Sequence, residues 1–168
     1  RQRRLRFLPD PARYSRETKH HIEVNFGRDE LSYYRDGVPV QGYGVVAPSS
    51  TRFRRGRVNR IIAQPEWIPT PAGRRIYVEN GGSLATLNAN GGVVPYGDPL
   101  NPMGNYKFDI AGFGAVRIHG TASYDHDYTD VETLGCVRLM DGPSGIDELV
   151  ALLGPNGRQE GIDVLFFG

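Results

Sequence analysis

The residues of this sequence best suited to chemistry are a histidine and the single cysteine, seventeen positions apart. His119 ends an alternating apolar run and is followed by Gly120, and Cys136 lies between Gly135 and Val137. A cysteine and a histidine on separate elements can pair as thiolate and imidazole when the fold brings them together. Glycines beside both leave main-chain N–H groups accessible as hydrogen-bond donors. The spacing alone does not distinguish a nucleophile from a small buried thiol.

Taken together, the segments around these two residues resemble the signature of the L,D-transpeptidase catalytic domain family, which are bacterial cell-wall enzymes. The family has an HGT segment, matched by His119-Gly120-Thr121, and a later S-H-G-C-(I/V)-R segment, matched by Thr133 to Arg138. Thr133 stands where the family usually has Ser, and Leu134 stands where it usually has His.

Two earlier segments extend the resemblance towards the start of the chain. Asn101-Pro102-Met103-Gly104 is similar to the family's NPLG segment, and Trp67-Ile68-Pro69-Thr70-Pro71 to its W-x-P-T-P segment. The resemblance therefore covers roughly Ile22 to Phe167.

The resemblance implies a cysteine acyltransferase that acts on peptidoglycan stem peptides. Cys136 would be the nucleophile and His119 its base, forming an ion pair ready to react. Backbone N–H groups of Leu134, Gly135 and Cys136 would stabilise the oxyanion, so that a Leu at position 134 need not abolish the site. A backbone carbonyl, Thr121 or Thr133 would orient the imidazole, and the sequence does not choose among them.

Four residues are predicted to contact substrate: Arg138, Gly120, Thr121 and Trp67. Arg138 suits either of two tasks, holding a substrate carboxylate by a two-pronged contact or tying down its own loop. Trp67 is interpreted as a core or wall residue rather than one that stacks on a ligand.

The resemblance implies a thioester acyl-enzyme, with neither a metal nor an organic cofactor. A second stem's amine would resolve the thioester to give a cross-link, and water would resolve it to give an L,D-carboxypeptidase. Carbapenem-type β-lactams are expected as covalent inhibitors. A cell-wall-binding module of the same fold without turnover is the alternative, supported by Thr133 and Leu134.

Composition is consistent with one globular domain in 168 residues, with 39% hydrophobic and 23% charged residues. A net charge of +1 argues against a dedicated nucleic-acid partner, and no apolar run reaches the roughly 20 residues of a membrane-spanning helix. The chain shows no apolar export segment, so we expect a signal peptide or anchor to have been removed. The resemblance places the protein outside the cytoplasm, in the periplasm or cell wall.

We divide the chain into a basic extension or linker over residues 1–19 and a catalytic domain over residues 20–168. Alternating patterns predict a mainly antiparallel β-sandwich. The predicted strands are His21–Phe26, Leu31–Arg35, Val38–Val46, Ile61–Ala63, Arg75–Val78, Tyr106–Ile110, Ala115–His119 and Ile162–Phe167. One substantial helix near the C-terminus is expected, at Pro143–Leu153.

The remaining segments are predicted to be loops. Thr51–Arg60, with five arginines, is interpreted as a solvated loop whose charges have little effect on stability. Asn80–Gly97 is expected to be a long loop or flap, and Ser123–Glu132, which holds His126, a mobile polar lid. Metal binding by His20 and His21 is disfavoured because adjacent strand residues face opposite ways.

Overall fold

The computed structural model describes residues 18–47, 54–111, 116–121, 136–140 and 142–168. Eight strands in these ranges form a closed barrel in the order β1-β2-β3-β7-β6-β5-β4-β8, with β8 pairing again to β1. The strands are β1 (His20–Asn25), β2 (Glu30–Arg35), β3 (Val38–Val46), β4 (Arg54–Ala63), β5 (Tyr106–Ala111), β6 (Arg117–His119), β7 (Cys136–Leu139) and β8 (Ile162–Phe167).

The fold is mainly β, as predicted, but the strands form a barrel and not a sandwich. Closure occurs at β8, which pairs antiparallel with β4 on one side and parallel with β1 on the other. A second parallel pair joins β6 to β7. Alternation within each strand is the same in a sandwich and in a barrel, so this distinction depends on pairings between distant strands.

The first three strands follow the sequence prediction closely. β1 pairs with β2 and β2 with β3, both antiparallel. Between β2 and β3, Asp36 and Gly37 have φ values of 52° and 79°. Positive φ at both central residues is the geometry of a tight hairpin turn, and Asp-Gly is one of the few pairs that adopt it readily.

The predicted loop Thr51–Arg60 is wrong over its described part, because Arg54–Ala63 is a single strand, β4. β4 pairs with β8 over Arg54–Arg57 and with β5 over Arg57–Ala63. Long arginine side chains suit a half-exposed strand, since their stems cover apolar surface while the guanidinium groups stay in water. The high density of arginines in this segment therefore led to the prediction of a loop where β4 forms.

Four helices lie in the described residues: α1 (Pro71–Glu79), α2 (Leu84–Ala89), α3 (Gly142–Leu153) and α4 (Gly157–Glu160). α3 confirms the predicted helix, which begins one residue earlier than expected. The expectations of a strand at Arg75–Val78 and of a loop over all of Asn80–Gly97 were wrong, because α1 and α2 occupy these segments.

Helix caps account for both errors. The Thr70 hydroxyl accepts a hydrogen bond from the Gly73 N–H, and Pro71 occupies the first turn of α1. The Ser83 hydroxyl likewise accepts from Thr86 N–H at the start of α2. Such caps satisfy backbone donors that the first helical turn leaves unpaired.

The hydrophobic core fills the barrel, and α3 contributes to it. Inward-facing residues of all eight strands are buried, and Ile146, Leu149 and Leu153 of α3 pack among them. A second, smaller cluster joins α1 and α2, formed by Tyr77, Leu87 and Val94 with the partly buried Trp67 and Leu100. The polar residues that alternate with the core face outward, and they include the candidate site.

The described part of the chain begins at Thr18, and the predicted boundary between an extension and a domain at residue 20 stays a prediction. Thr18 is buried and its hydroxyl accepts a hydrogen bond from the Asp163 N–H of β8 at 3.3 Å. The predicted lid Ser123–Glu132 lies outside the described residues.

Candidate active site

The parallel pairing of β6 with β7 places His119 and Cys136 on the same face of the barrel wall. Arg117 lies opposite Cys136, and His119 lies opposite Arg138. Ile118 and Val137, which alternate with them, belong to the core. Side chains two residues apart on a strand share one face, so all four polar residues face outward, and Cys136 lies diagonally across from His119.

β5 extends this arrangement on the other side of β6. Lys107 lies opposite His119, and Asp109 lies opposite Arg117. We call the six outward residues of β5, β6 and β7 the site face: Lys107, Asp109, Arg117, His119, Cys136 and Arg138. The site face thus consists of two cross-strand rows, one through His119 and the other through Cys136.

His119 is buried, with 5% of its surface exposed, and its Nδ1 is 2.8 Å from the carbonyl oxygen of Gly120. Burial lowers its pKa to about 4, because an imidazolium would lose its hydration. Arg138 and Lys107 lower the pKa further, and the carbonyls of Gly120 and Met103 act in the opposite direction. The imidazole is therefore neutral at neutral pH.

The hydrogen bonds of the His119 ring bear on which group orients the imidazole. The sequence left a backbone carbonyl, Thr121 and Thr133 as alternatives. Thr121 donates its hydroxyl to the Leu139 carbonyl at 2.6 Å, which joins the ends of β6 and β7. Thr133 lies outside the described residues. The ring therefore bonds to backbone carbonyls, to that of Gly120 through Nδ1 and also to that of Met103.

Close packing fixes the position of Gly120. A Cβ on Gly120 would lie 2.4 Å from Ile146 of α3, and one on Gly104 would lie 2.7 Å from the Gly120 backbone. Neither position tolerates a side chain without movement of the neighbouring atoms. The Asn101–Gly104 segment and α3 therefore hold the Gly120 carbonyl from two sides.

Asn101 in turn anchors its own segment. Its side-chain amide donates to the carbonyls of Pro65, Val94 and Pro95 at 3.1–3.2 Å, and its oxygen accepts from Met103 N–H at 2.9 Å. These bonds tie the segment that approaches His119 to the cluster around α1 and α2. The segment matched to the family's NPLG motif thus supports the site from outside the site face.

Cys136 is partly exposed and is not in a disulfide. Burial raises the pKa of its thiol, and the charge and backbone of Arg117 and the charge of Lys107 oppose that increase. Burial therefore opposes the charged form of both groups, and cations face the imidazole. The ion pair of Cys136 and His119 expected from the sequence stays a prediction.

Arg138 and Trp67, two of the predicted substrate contacts, lie in different parts of the molecule. Arg138 is buried on the site face, with one guanidinium nitrogen 4.0 Å from the Met140 sulfur. Trp67 lies in the cluster with Tyr77 and Leu87, and its backbone pairs with Val94. The predicted oxyanion residues Leu134 and Gly135 lie outside the described residues.

Lys107, Asp109 and Arg117 were not predicted from the sequence as residues of the site. One signal was present, since Arg117 shares the strand face of His119 by simple alternation. The positions of Lys107 and Asp109 depend on the pairing of β5 with β6. That register is not visible in either strand alone.

In the part of the chain that the structure describes, no group of three or more His, Cys, Asp or Glu residues is arranged to hold a metal ion. His20 bonds to the Tyr33 hydroxyl and His21 to Glu23. None of the helices within these ranges has the length and apolar character needed to cross a bilayer.

The sequence matches known proteins over most of its length. A model of the L,D-transpeptidase catalytic domain family matches residues 19–157. The protein named "Probable L,D-transpeptidase ErfK/SrfK" of Escherichia coli K12 is 34% identical over 139 residues, which are 80% of this chain and 40% of that protein. The chain therefore spans less than half the length of this curated relative.

Solved structures of similar fold include acylated enzymes. The carbamoyl enzyme of Ldtfm with avibactam has a TM-score of 0.55 and 20% identity, covering 89% of this chain and 49% of that one. The Enterococcus faecium L,D-transpeptidase catalytic domain acylated by ertapenem has a TM-score of 0.54 and 20% identity, covering 89% and 98%. At this identity the similarity establishes the fold.

Proposed function

The chain belongs to the L,D-transpeptidase catalytic domain family, and from this premise we propose that it is a cysteine acyltransferase acting on peptidoglycan stem peptides. The observation that carries the proposal is the parallel register of β6 and β7, which puts Cys136 and His119 on one face of neighbouring strands. The bond of His119 Nδ1 to the Gly120 carbonyl adds to it, because that nitrogen then carries the proton and Nε2 is the acceptor.

In the acylation step, the Cys136 sulfur attacks the carbonyl carbon of a diamino-acid residue in the stem. The thiol proton passes to His119 Nε2 as the carbon–sulfur bond forms. The tetrahedral intermediate then collapses, and the terminal D-amino acid leaves as an amine that takes the proton from His119. Enzyme and stem remain joined as a thioester.

The oxyanion of the intermediate would be held by backbone N–H groups at Leu134, Gly135 and Cys136. One such donor contributes on the order of 3 kcal/mol to a transition state. A hole made of main chain does not require the family's usual histidine at position 134. This part of the proposal rests on the family resemblance and on Cys136 beginning a strand.

Two resolving nucleophiles are chemically equivalent at the thioester. A side-chain amine of a second stem attacks the carbonyl carbon, gives a proton to His119 and expels Cys136, which regains that proton. Water reacts in the same way and releases a trimmed stem, which is carboxypeptidase activity. We propose cross-linking as the main outcome, in the periplasm or cell wall where such stems occur.

Covalent capture by a carbapenem tests the proposal directly. The E. faecium domain acylated by ertapenem makes that compound a suitable probe. We expect intact mass to show one ertapenem adduct on the wild-type protein and none on Cys136→Ala, since Cys136 is the only cysteine. A folded wild-type protein that forms no adduct would favour the non-catalytic binding module.

Product analysis with purified stem peptides separates the two activities. A dimer linked through the diamino acid indicates transpeptidation, and a stem shortened by one D-amino acid indicates hydrolysis. If neither product forms although the β-lactam adduct does, the proposed substrate is contradicted, whereas the proposed nucleophile is not.

A further inference from the structure

A row of alternating charges leads across three strands to the reactive sulfur. Arg60 on β4, Asp109 on β5, Arg117 on β6 and Cys136 on β7 are successive partners in the sheet register. Each lies on the outer face of the barrel, opposite the buried core. The row therefore ends with a guanidinium group on the strand next to the thiol.

Asp109 is the residue of this row to which both arginines bind. Its side chain is 9% exposed, and its oxygens lie 2.6 Å from Arg60 Nη2, 3.0 Å from Arg117 Nε and 3.9 Å from Lys107 Nζ. A carboxylate taken out of water is stable only when it is paired. Three cations around one carboxylate leave the group with a net positive charge, and Arg117 is the member next to Cys136.

His119 is a poor source of positive charge for the sulfur. Its ring is buried, faces Lys107 and Arg138 across the neighbouring strands, and is neutral at neutral pH. Among the described residues, the other charged side chains on the site face are Arg117, Arg138, Lys107 and Asp109, with Arg60 one strand beyond them. Among these, Arg117 is the direct partner of Cys136 and makes the largest contribution to lowering its pKa.

We propose that Arg117, positioned by Asp109, is the cation that stabilises the Cys136 thiolate, while His119 serves only to carry the proton. Arg117 keeps its charge throughout the pH range of a folded protein, so the stabilisation persists after His119 has passed the proton on. The proposal deepens the proposed function and rests on it for the role of the thiolate. Asp109 acts through Arg117 and is a positioning residue.

A purely structural role makes a different prediction. If the Arg117–Asp109 pair only held β5 against β6, then removing Arg60, which binds the same carboxylate, would affect the thiol as much as removing Arg117. Arg60 is one strand further from Cys136 than Asp109 is. Arg60→Gln is therefore a matched control for loss of an ion pair at Asp109.

The test is the pH profile of Cys136 alkylation by iodoacetamide, measured by intact mass. Only the thiolate reacts, and the reaction involves neither stem peptide nor His119 as a proton donor. A neighbouring charge shifts a pKa by about one unit or more, so Arg117→Gln should slow alkylation at neutral pH about tenfold and move the profile to higher pH. Arg117→Lys should stay within about threefold of wild type, and Arg60→Gln within about twofold.

Two results would overturn the proposal: an unchanged profile in Arg117→Gln, or equal shifts in Arg117→Gln and Arg60→Gln. Arg117→Met, which keeps the apolar stem, is a second neutral variant, and whichever of the two folds by circular dichroism decides the question. Failure of the proposed function would look different. Wild type would then alkylate with the expected profile and still form no ertapenem adduct.

Discussion

Two regions of the barrel's outer surface both hold a buried aspartate paired with arginines, and they differ in the groups that lie beside it. On the site face, a row runs from Arg60 through buried Asp109 to Arg117 and Cys136. On the opposite side, where β8 closes the barrel, a row runs from Arg57 through buried Asp163 to His21 and Tyr34. We call the second row, together with Arg55 and Glu23, the closure face.

The closure face satisfies its charges without leaving a reactive group. Asp163 is bound by Arg55 at 2.9 Å and Arg57 at 3.1 Å, and the Tyr34 hydroxyl donates to Glu23 at 3.3 Å. Burial and the Glu23 carboxylate raise the pKa of Tyr34 to about 12. A buried aspartate with arginine partners is thus not itself a mark of a site. The thiol at the end of the row distinguishes the site face.

Removing one histidine from each face should give the largest difference between them. His119→Ala is expected to lower the rate of ertapenem acylation by about 10²–10⁴, the usual contribution of a positioned base. His21→Ala removes an equally buried ring from the closure face and should leave the rate per folded molecule unchanged. Stopped-flow or mass-spectrometric acylation, normalised to the folded fraction, measures both. Equal losses would mean that the site face has no special role.

Acid should also act on the site face through His119. Its pKa is about 4 in the folded protein against 6.5 in an unfolded chain. As pH falls through 6.5 the unfolded state binds the proton first, so stability declines between pH 6.5 and about 4 and is fully present above that window. The shift corresponds to a loss of roughly 3 kcal/mol.

Urea unfolding at several pH values would show this decline in the free energy of unfolding. In His119→Ala, the free energy of unfolding should change less steeply with pH over the same window. A slope identical to wild type in His119→Ala would contradict a neutral, buried imidazole at this position. The acid limb of the acylation rate should likewise lie near pH 4 and not near 6.5.

Removing charges from the closure face should lower the stability of the protein and leave the reactivity of the site face unchanged. Arg55→Gln combined with Arg57→Gln removes two arginine partners of Asp163, whose side chain is only 2% exposed. Because both arginines are partly exposed, we expect a loss of about 2 kcal/mol, less than for a fully buried pair. That corresponds to about 4–8 °C in melting temperature for a chain of this size.

This expectation replaces the small effect that the sequence suggested for the arginines between residues 51 and 60. They are exposed as predicted where described, yet three of them pair with buried carboxylates. Arg28→Gln with Arg75→Gln, two exposed arginines outside the closure face, is the matched control. A melting temperature equal to that of the control variant would show that water hydrates the Asp163 carboxylate well enough to replace its two arginine partners.

Local patterns predicted those parts of the fold that local interactions determine. Alternation located β1, β2, β3 and β8, and Asp36-Gly37 is the pair that turns the chain between β2 and β3. The apolar periodicity and the Gly154-Pro155 end located α3. The barrel itself could not be predicted in this way, since closure depends on β8 pairing with both β4 and β1 across more than a hundred residues.

The candidate site could likewise be predicted from the sequence only in part. His119 and Cys136 were recognisable from residue type, neighbouring glycines and family resemblance. Asp109 and Arg117 were not, because their relation to the sulfur appears only when the β5–β6 and β6–β7 registers are known. The neutral state of His119 was also hidden, since burial in the folded molecule produces it.

The smallest expected effect concerns Leu134, where this chain departs from the family's usual histidine. If the position supplies only a backbone N–H to the oxyanion, Leu134→Ala should retain most of the ertapenem acylation rate, within about threefold, because no donor is removed. Cys136→Ala is the reference for complete loss. Leu134→His tests the converse: a useful imidazole would speed deacylation or aminolysis of the thioester without changing the fold. A loss in folded Leu134→Ala comparable to that of Cys136→Ala would show that the side chain itself builds the site, and the contrast between the two faces would then rest on more than the Arg117–Cys136 row.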